Sequence, residues 1–165
     1  MAIWQYTCIL IPLRNFENNY IKFLQQEKTD YRKETHYFWN NFSLSKSVVS
    51  EKIDLNISKY KSENENRIYW KGDSDNFEDN DCEIQSDNDF ITEFAIRFDL
   101  RNAKNVKKFI DLLLEISIEN QLKFMNLKYE FFNAEKNLLI EDIKNSNGMK
   151  FLENPEEFLT SLSQS

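Results

Sequence analysis

The most regular stretch of the chain is 90–100, where Phe90, Thr92, Phe94, Ile96, Phe98 and Leu100 alternate with Glu93, Arg97 and Asp99. Period two is what a strand shows when one sheet face meets a core and the other meets water. Directly afterwards the period changes. Val106, Phe109, Ile110, Leu113, Ile116 and Ser117 recur at helical spacing, and Leu114 and Ile118 widen the stripe. Lys107, Lys108, Asp111, Glu115 and Glu119 fall opposite. This predicts a helix over 103–120 lying flat on the sheet, with Asn102 as its cap.

The same reading extends to both ends. Residues 3–11 carry apolar side chains on both faces, which predicts a central strand with material packed on each side and Pro12 as its end. From about Asn15, the residues Phe16, Tyr20, Phe23 and Leu24 share a helical stripe, which the polar run 25–33 closes. The run THYFW at 35–39 predicts a second strand. Ile53, Leu55 and Ile57, alternating with Asp54 and Asn56, predict a third, and 58–66 a solvated loop. A hairpin is expected from 67–70 and 82–85 across the loop GDSDNFEDN. A strand over 121–132 follows, bulged near Asn126, then a helix over 134–146 with Gly148 as its stop. Asn154, Pro155 and Glu157 are spaced as in a capping box, so a last short helix is expected at about 155–162, docked by Phe158 and Leu159.

This order describes a single α+β domain over 1–165: a mostly antiparallel sheet of five to six strands with helices on one face. Weak periodicity leaves the sheet order around 40–66 open. At 165 residues such a domain can bury a core without disulfides. The 15% aromatic share, mostly 14 Phe, excludes wholesale disorder. Cys8 sits in an apolar run and reads as a buried thiol, distant in sequence from Cys82. The apolar start has no basic residue before it and stops at Pro12, too short to span a bilayer and unlike a signal peptide. A cytoplasmic chain without a membrane partner is the expectation, its oligomeric state open.

Charge changes the picture. The chain carries a net −7, and 71–89 holds Lys71 against Asp73, Asp75, Glu78, Asp79, Asp81, Glu83, Asp87 and Asp89, so the remainder nets zero. Such a surface repels a nucleic-acid backbone and attracts basic partners. Direct nucleic-acid binding is not expected.

Catalytic chemistry has few candidates. His36 is the only histidine and reads as structural or exposed. No serine sits in a glycine-flanked elbow, and two glycines cannot build a phosphate loop. A calcium loop counted from Asp73 places Phe77 at a ligand position and lacks the central glycine. The expectation is therefore no catalytic residue, no cofactor and no metal. Two alternatives stay open: a divalent-metal-dependent enzyme gathering Glu93, Asp99 and the acidic loop, and an adaptor or structural protein. The favoured reading is an anionic docking surface of Asp73, Asp75, Glu78, Asp79, Asp81 and Glu83, with Trp70 and Phe77 as aromatic anchors and Trp39 as a further candidate.

Several segments add a family likeness. Trp4-Gln5-Tyr6, the turn 69–73 (YWKGD), ITEFAIRFD at 91–99 with Arg101 following, and FLENPEEFL at 151–159 touch the start, middle and end of the chain. In these the chain resembles small bacterial immunity proteins, the cytoplasmic antidotes to polymorphic or contact-dependent toxins. The resemblance implies a non-enzymatic inhibitor that occludes a cognate toxin with a basic surface, nucleases included, and it assigns no subfamily.

Overall fold

The computed structural model describes residues 2–27, 30–60, 64–157 and 159, without the side chains of Arg32 and Lys33. Among these residues seven strands form one antiparallel sheet. They are β1 (Gln5–Pro12), β2 (Lys59–Tyr60), β3 (Arg67–Asp73), β4 (Glu78–Asp87), β5 (Phe90–Asp99), β6 (Leu122–Asn126) and β7 (Phe131–Phe132). Their order is β2-β3-β4-β5-β1-β6-β7, so the long strands lie inside and two-residue strands close both edges. Short edges limit pairing with other chains.

The helices are α1 (Leu13–Leu24), α2 (Tyr31–Thr35), α3 (Lys46–Asp54), α4 (Ala103–Glu119), α5 (Lys136–Lys144) and α6 (Asn147–Glu153), with a 3-10 turn at His36–Trp39. The larger core joins Cys8, Leu10, Ile84, Phe94, Ile96 and Phe98 of the sheet to Val49 and Ile53 of α3, Phe109, Leu113 and Ile116 of α4, and Leu139 of α5. Helix α4 starts where its cap places it, since Asn102 Oδ1 accepts the Asn105 N–H at 3.1 Å. Ile118, however, points to solvent.

The helices are not confined to that face. Ile9, Ile11, Ala95 and Met125 meet Phe16 and Phe23 of α1, Phe38 of the 3-10 turn and Phe131 in a second, smaller core. The two-sided apolar pattern of β1 reflects these two cores. No helix among the described residues is long and apolar enough to cross a membrane.

Several local expectations change. Residues 35–39 are the end of α2 and the 3-10 turn, not a strand. Phe38 and Trp39 each enter a different core, and a tight turn divides neighbouring side chains as effectively as a strand does. Residues 53–57 straddle the end of α3, so their alternation is accidental. Val49 and Ile53 are buried one turn apart, while Leu55 is 86% exposed. Within 58–66, Lys59 and Tyr60 pair with Trp70 and Tyr69, and 61–63 lie outside the described residues.

The slip near Asn126 is a turn between β6 and β7. Asn126 Oδ1 accepts from the N–H groups of Lys128 and Glu130, and Tyr129 takes a φ of 64°. The bulge lies instead between β4 and β5, where Gln85 faces Glu93 and Ser86 faces Ile91. Ile91 rather than Thr92 therefore joins Phe94 in the core. Gly148 does not stop a helix but sits inside α6, where an added Cβ would lie 3.0 Å from Leu100 Cδ1 and 3.2 Å from the Gln5 carbonyl. Asn154 accepts the Glu157 N–H and donates to its carboxylate, as a capping pair. Residues 155–157 and 159 are helical, Leu159 is exposed rather than docked, and Phe158 and 160–162 lie outside the described residues.

Cys8 and Cys82 both lie opposite Ile96, on the strands flanking β5. Two strand spacings separate them, about 10 Å, beyond the reach of a disulfide. Both are buried free thiols, and burial pushes both thiol pKa values up.

Candidate functional site

The acidic segment folds as the β3–β4 hairpin, with Trp70 opposite Cys82 and Asp73 opposite Glu78. Its register steps between Lys71 and Asp73, where Gly72 crosses close to the other strand. A Cβ on Gly72 would lie 1.8 Å from the Glu78 carbonyl oxygen, so this backbone approach requires glycine. At the tip, Asp73 accepts from the N–H groups of Asp75 and Asn76 and from Asn76 Nδ2. The Asn76 side chain, followed by the Asp75 N–H, holds the Asp73 carboxyl below its ordinary value.

Phe77 closes the turn by donating its N–H to the Ser74 carbonyl at 3.3 Å. Its φ is 57°, in the left-handed region, at a turn-closing position that glycine usually takes. The ring is 53% exposed, and the Arg101 guanidinium lies 4.7 Å from its centroid. The same guanidinium lies 4.7 Å from the Trp4 ring, so one cation joins two aromatic groups from distant parts of the chain.

Arg101 is in turn fixed by Asp99, through Nε to Oδ1 at 2.8 Å and a terminal nitrogen to Oδ2 at 2.5 Å. Burial alone would raise the Asp99 pKa. The Arg101 side chain and the N–H groups of Arg101 and Asp79 outweigh it and bring the carboxyl below its ordinary value.

Asp73, Asp75 and Glu78 are exposed around Phe77. Asp79 lies half-buried at their base, with its N–H on Asp99 Oδ2 and its Oδ1 buried without a hydrogen-bond partner among the described residues. The other three expected contact residues do not join this surface. Trp70 is fully buried in the larger core, and its Nε1 donates to Asp54 Oδ1 at 2.7 Å. Trp39 is likewise core.

Asp81 and Glu83 point to the opposite face and are buried against arginines. Arg97 Nε donates to Asp81 at 2.6 Å and a terminal nitrogen of Arg97 donates to the Tyr69 hydroxyl at 2.5 Å. Arg67 donates to Glu83 at 2.7 Å. Burial pushes Asp81 up to about 6 despite Arg97. Asp87 and Asp89 sit at the far end of β4, beside the half-exposed Phe90.

Trp4 and Arg101 belong to the tip but escape a sequence search for the site. The tip joins positions 4, 77 and 101, and nothing local at any one of them marks the others. Among the described residues no group of three or more His, Cys, Asp or Glu is placed to hold a metal ion. Of the carboxylates in the metal-enzyme alternative, Glu93 lies six residues from Asp99 along β5, and Asp99 is committed to Arg101. Comparison of the chain with protein-family models, curated proteins and solved structures finds no match in any of the three.

Proposed function

We propose that this chain is an immunity-type inhibitor that binds a cationic protein toxin through the β3–β4 tip and blocks it by occlusion. Phe77 carries the reading. A phenylalanine held in the left-handed region costs backbone energy that glycine would avoid, and strain of this kind concentrates at functional sites. Here it presents a half-exposed ring backed by Arg101 and ringed by Asp73, Asp75 and Glu78. Aromatic and arginine side chains with a charged rim are the composition of interface hot spots, and the carboxylates would steer a basic surface toward them. The segments similar to bacterial immunity proteins supply the partner class. No turnover is required.

The test is co-expression with a toxin domain from any large gene found directly upstream of this one, scoring growth and recovering the complex. Asp73→Lys, Asp75→Lys and Glu78→Lys together, or Phe77→Ala alone, are expected to abolish protection while the circular dichroism spectrum is unchanged. Folded variants that protect as well as the parent would overturn the site.

A further inference from the structure

We propose that the cleft between the β3–β4 hairpin and the first turns of α4 binds a phosphate-sized oxyanion carried by a small polar molecule. The cleft is about 680 Å³, within the range of small-molecule sites, and its lining includes Asn80, Asn102, Lys104, Asn105, Lys108 and Phe109. This inference does not rest on the toxin-binding reading.

Asn80 is the key residue. It is 2% exposed, and its Oδ1 accepts the Asp99 N–H at 2.9 Å. A backbone N–H can be met only by the amide oxygen, so the side-chain orientation is fixed. Nδ2 is thereby left as a donor with no acceptor among the described residues, on a side chain that lines the cleft. Nδ2 keeps contact with the solvent of the cleft, where the acceptor oxygen of a ligand can reach it.

The start of α4 adds to it. Asn102 satisfies the N–H groups of Asn105 and Val106, whereas those of Ala103 and Lys104 meet no acceptor among the described residues. Free N–H groups at the positive end of a 17-residue helix favour an anion. Lys104 and Lys108, one turn apart, form no ion pair among the described residues, although the chain carries an excess of carboxylates.

Two carboxylates also line the cleft, and their geometry narrows the ligand. Both Asp73 oxygens are turned into the hairpin tip, and Glu78 accepts from Asn102 Nδ2 at 3.4 Å. At the rim they would repel an extended polyanion such as nucleic acid while admitting one compact anionic group. The donor set is therefore the Asn80 amide, two main-chain N–H groups and two ammonium groups, which suits a tetrahedral oxyanion.

The test is a titration of the isotope-labelled chain with sodium phosphate at constant ionic strength, followed by amide NMR. Saturable shifts are expected at the Asn80 side chain and at the Ala103 and Lys104 backbone, with acetate binding about ten-fold more weakly than phosphate. Asn80→Asp keeps the acceptor for Asp99 but removes the donor, and it is expected to weaken binding by about ten-fold or more. The exposed pair Lys104→Gln and Lys108→Gln should weaken it likewise, and decides the matter should Asn80→Asp not fold. No saturation by about 10 mM overturns the site. Acetate binding as tightly as phosphate overturns the phosphate assignment. Shifts that survive the variants mean an adventitious ion only. Phe77→Ala, which touches no lining residue of the cleft, should abolish protection in the growth assay yet retain the phosphate response, which separates failure of one proposal from failure of the other.

Discussion

Asp75 and Asp81 lie six residues apart in one acidic run and experience opposite surroundings. At the hairpin tip Asp75 is exposed beside Phe77, with Asp73 and Glu78 around the same ring. In the body of β4, Asp81 and Glu83 are buried and held by Arg97 and Arg67. The tip offers charge to a partner, while the strand has already neutralised its charge within the fold. Local charge density therefore does not measure the charge a surface can present. Place along the hairpin decides it, because Asp75 lies in the turn beyond the strand ends whereas Asp81 lies within β4 opposite Arg97.

The comparison breaks most visibly at Arg97. Arg97→Ala leaves Asp81 buried and without its cation, and should destabilise the fold by about 3 kcal/mol in urea denaturation. A change below about 0.5 kcal/mol would mean that Asp81 is as well solvated as the tip.

The pH dependence should also separate the regions. With a native pKa of about 6 against roughly 4 unfolded, Asp81 binds its proton more tightly in the folded state. Its contribution to stability is therefore largest at low pH and falls by about 2 kcal/mol as pH rises from 4 to 6. Asp99 runs the other way, because its lowered pKa gives stability that is lost as pH falls through the native value. Asp81→Asn should remove the first component alone, read as the difference between variant and parent stability across that window. An unchanged pH profile would show that burial does not control Asp81.

The smallest effect belongs to the tip. Asp75→Lys touches no buried group and should leave stability within about 0.5 kcal/mol of the parent. A larger loss would show that the tip contributes to the fold as the strand does.

What could be read beforehand follows the same division. The hairpin pairing, the core-facing run 94–98 and the Asn102 cap were legible because neighbouring residues carry those signals. Arg97 was read as solvent-facing from its alternation with Ile96 and Phe98. Its register partner on β4 is Asp81, and cross-strand complementarity of charge has no local signature. Phe38 and Trp39 were misread because two cores meet at one turn, and a strand would produce the same adjacent apolar pair. Of the candidate site, Asp73, Asp75, Glu78, Asp79 and Phe77 were legible, whereas Asp81, Glu83 and Trp70 were expected there and are buried elsewhere. Trp4 and Arg101 were not, since only the assembled sheet brings Trp4 and the residues after β5 to the hairpin.

The placement of Ile96 between the two thiols has a practical consequence. Because β5 keeps Cys8 and Cys82 from bonding to each other, an oxidising environment cannot cross-link this sheet internally. Both sulfurs are shielded in the centre of the molecule, so alkylating reagents reach them only when the sheet opens. The rate of their modification is thus a native clock for opening of the central strands, requiring no engineered label.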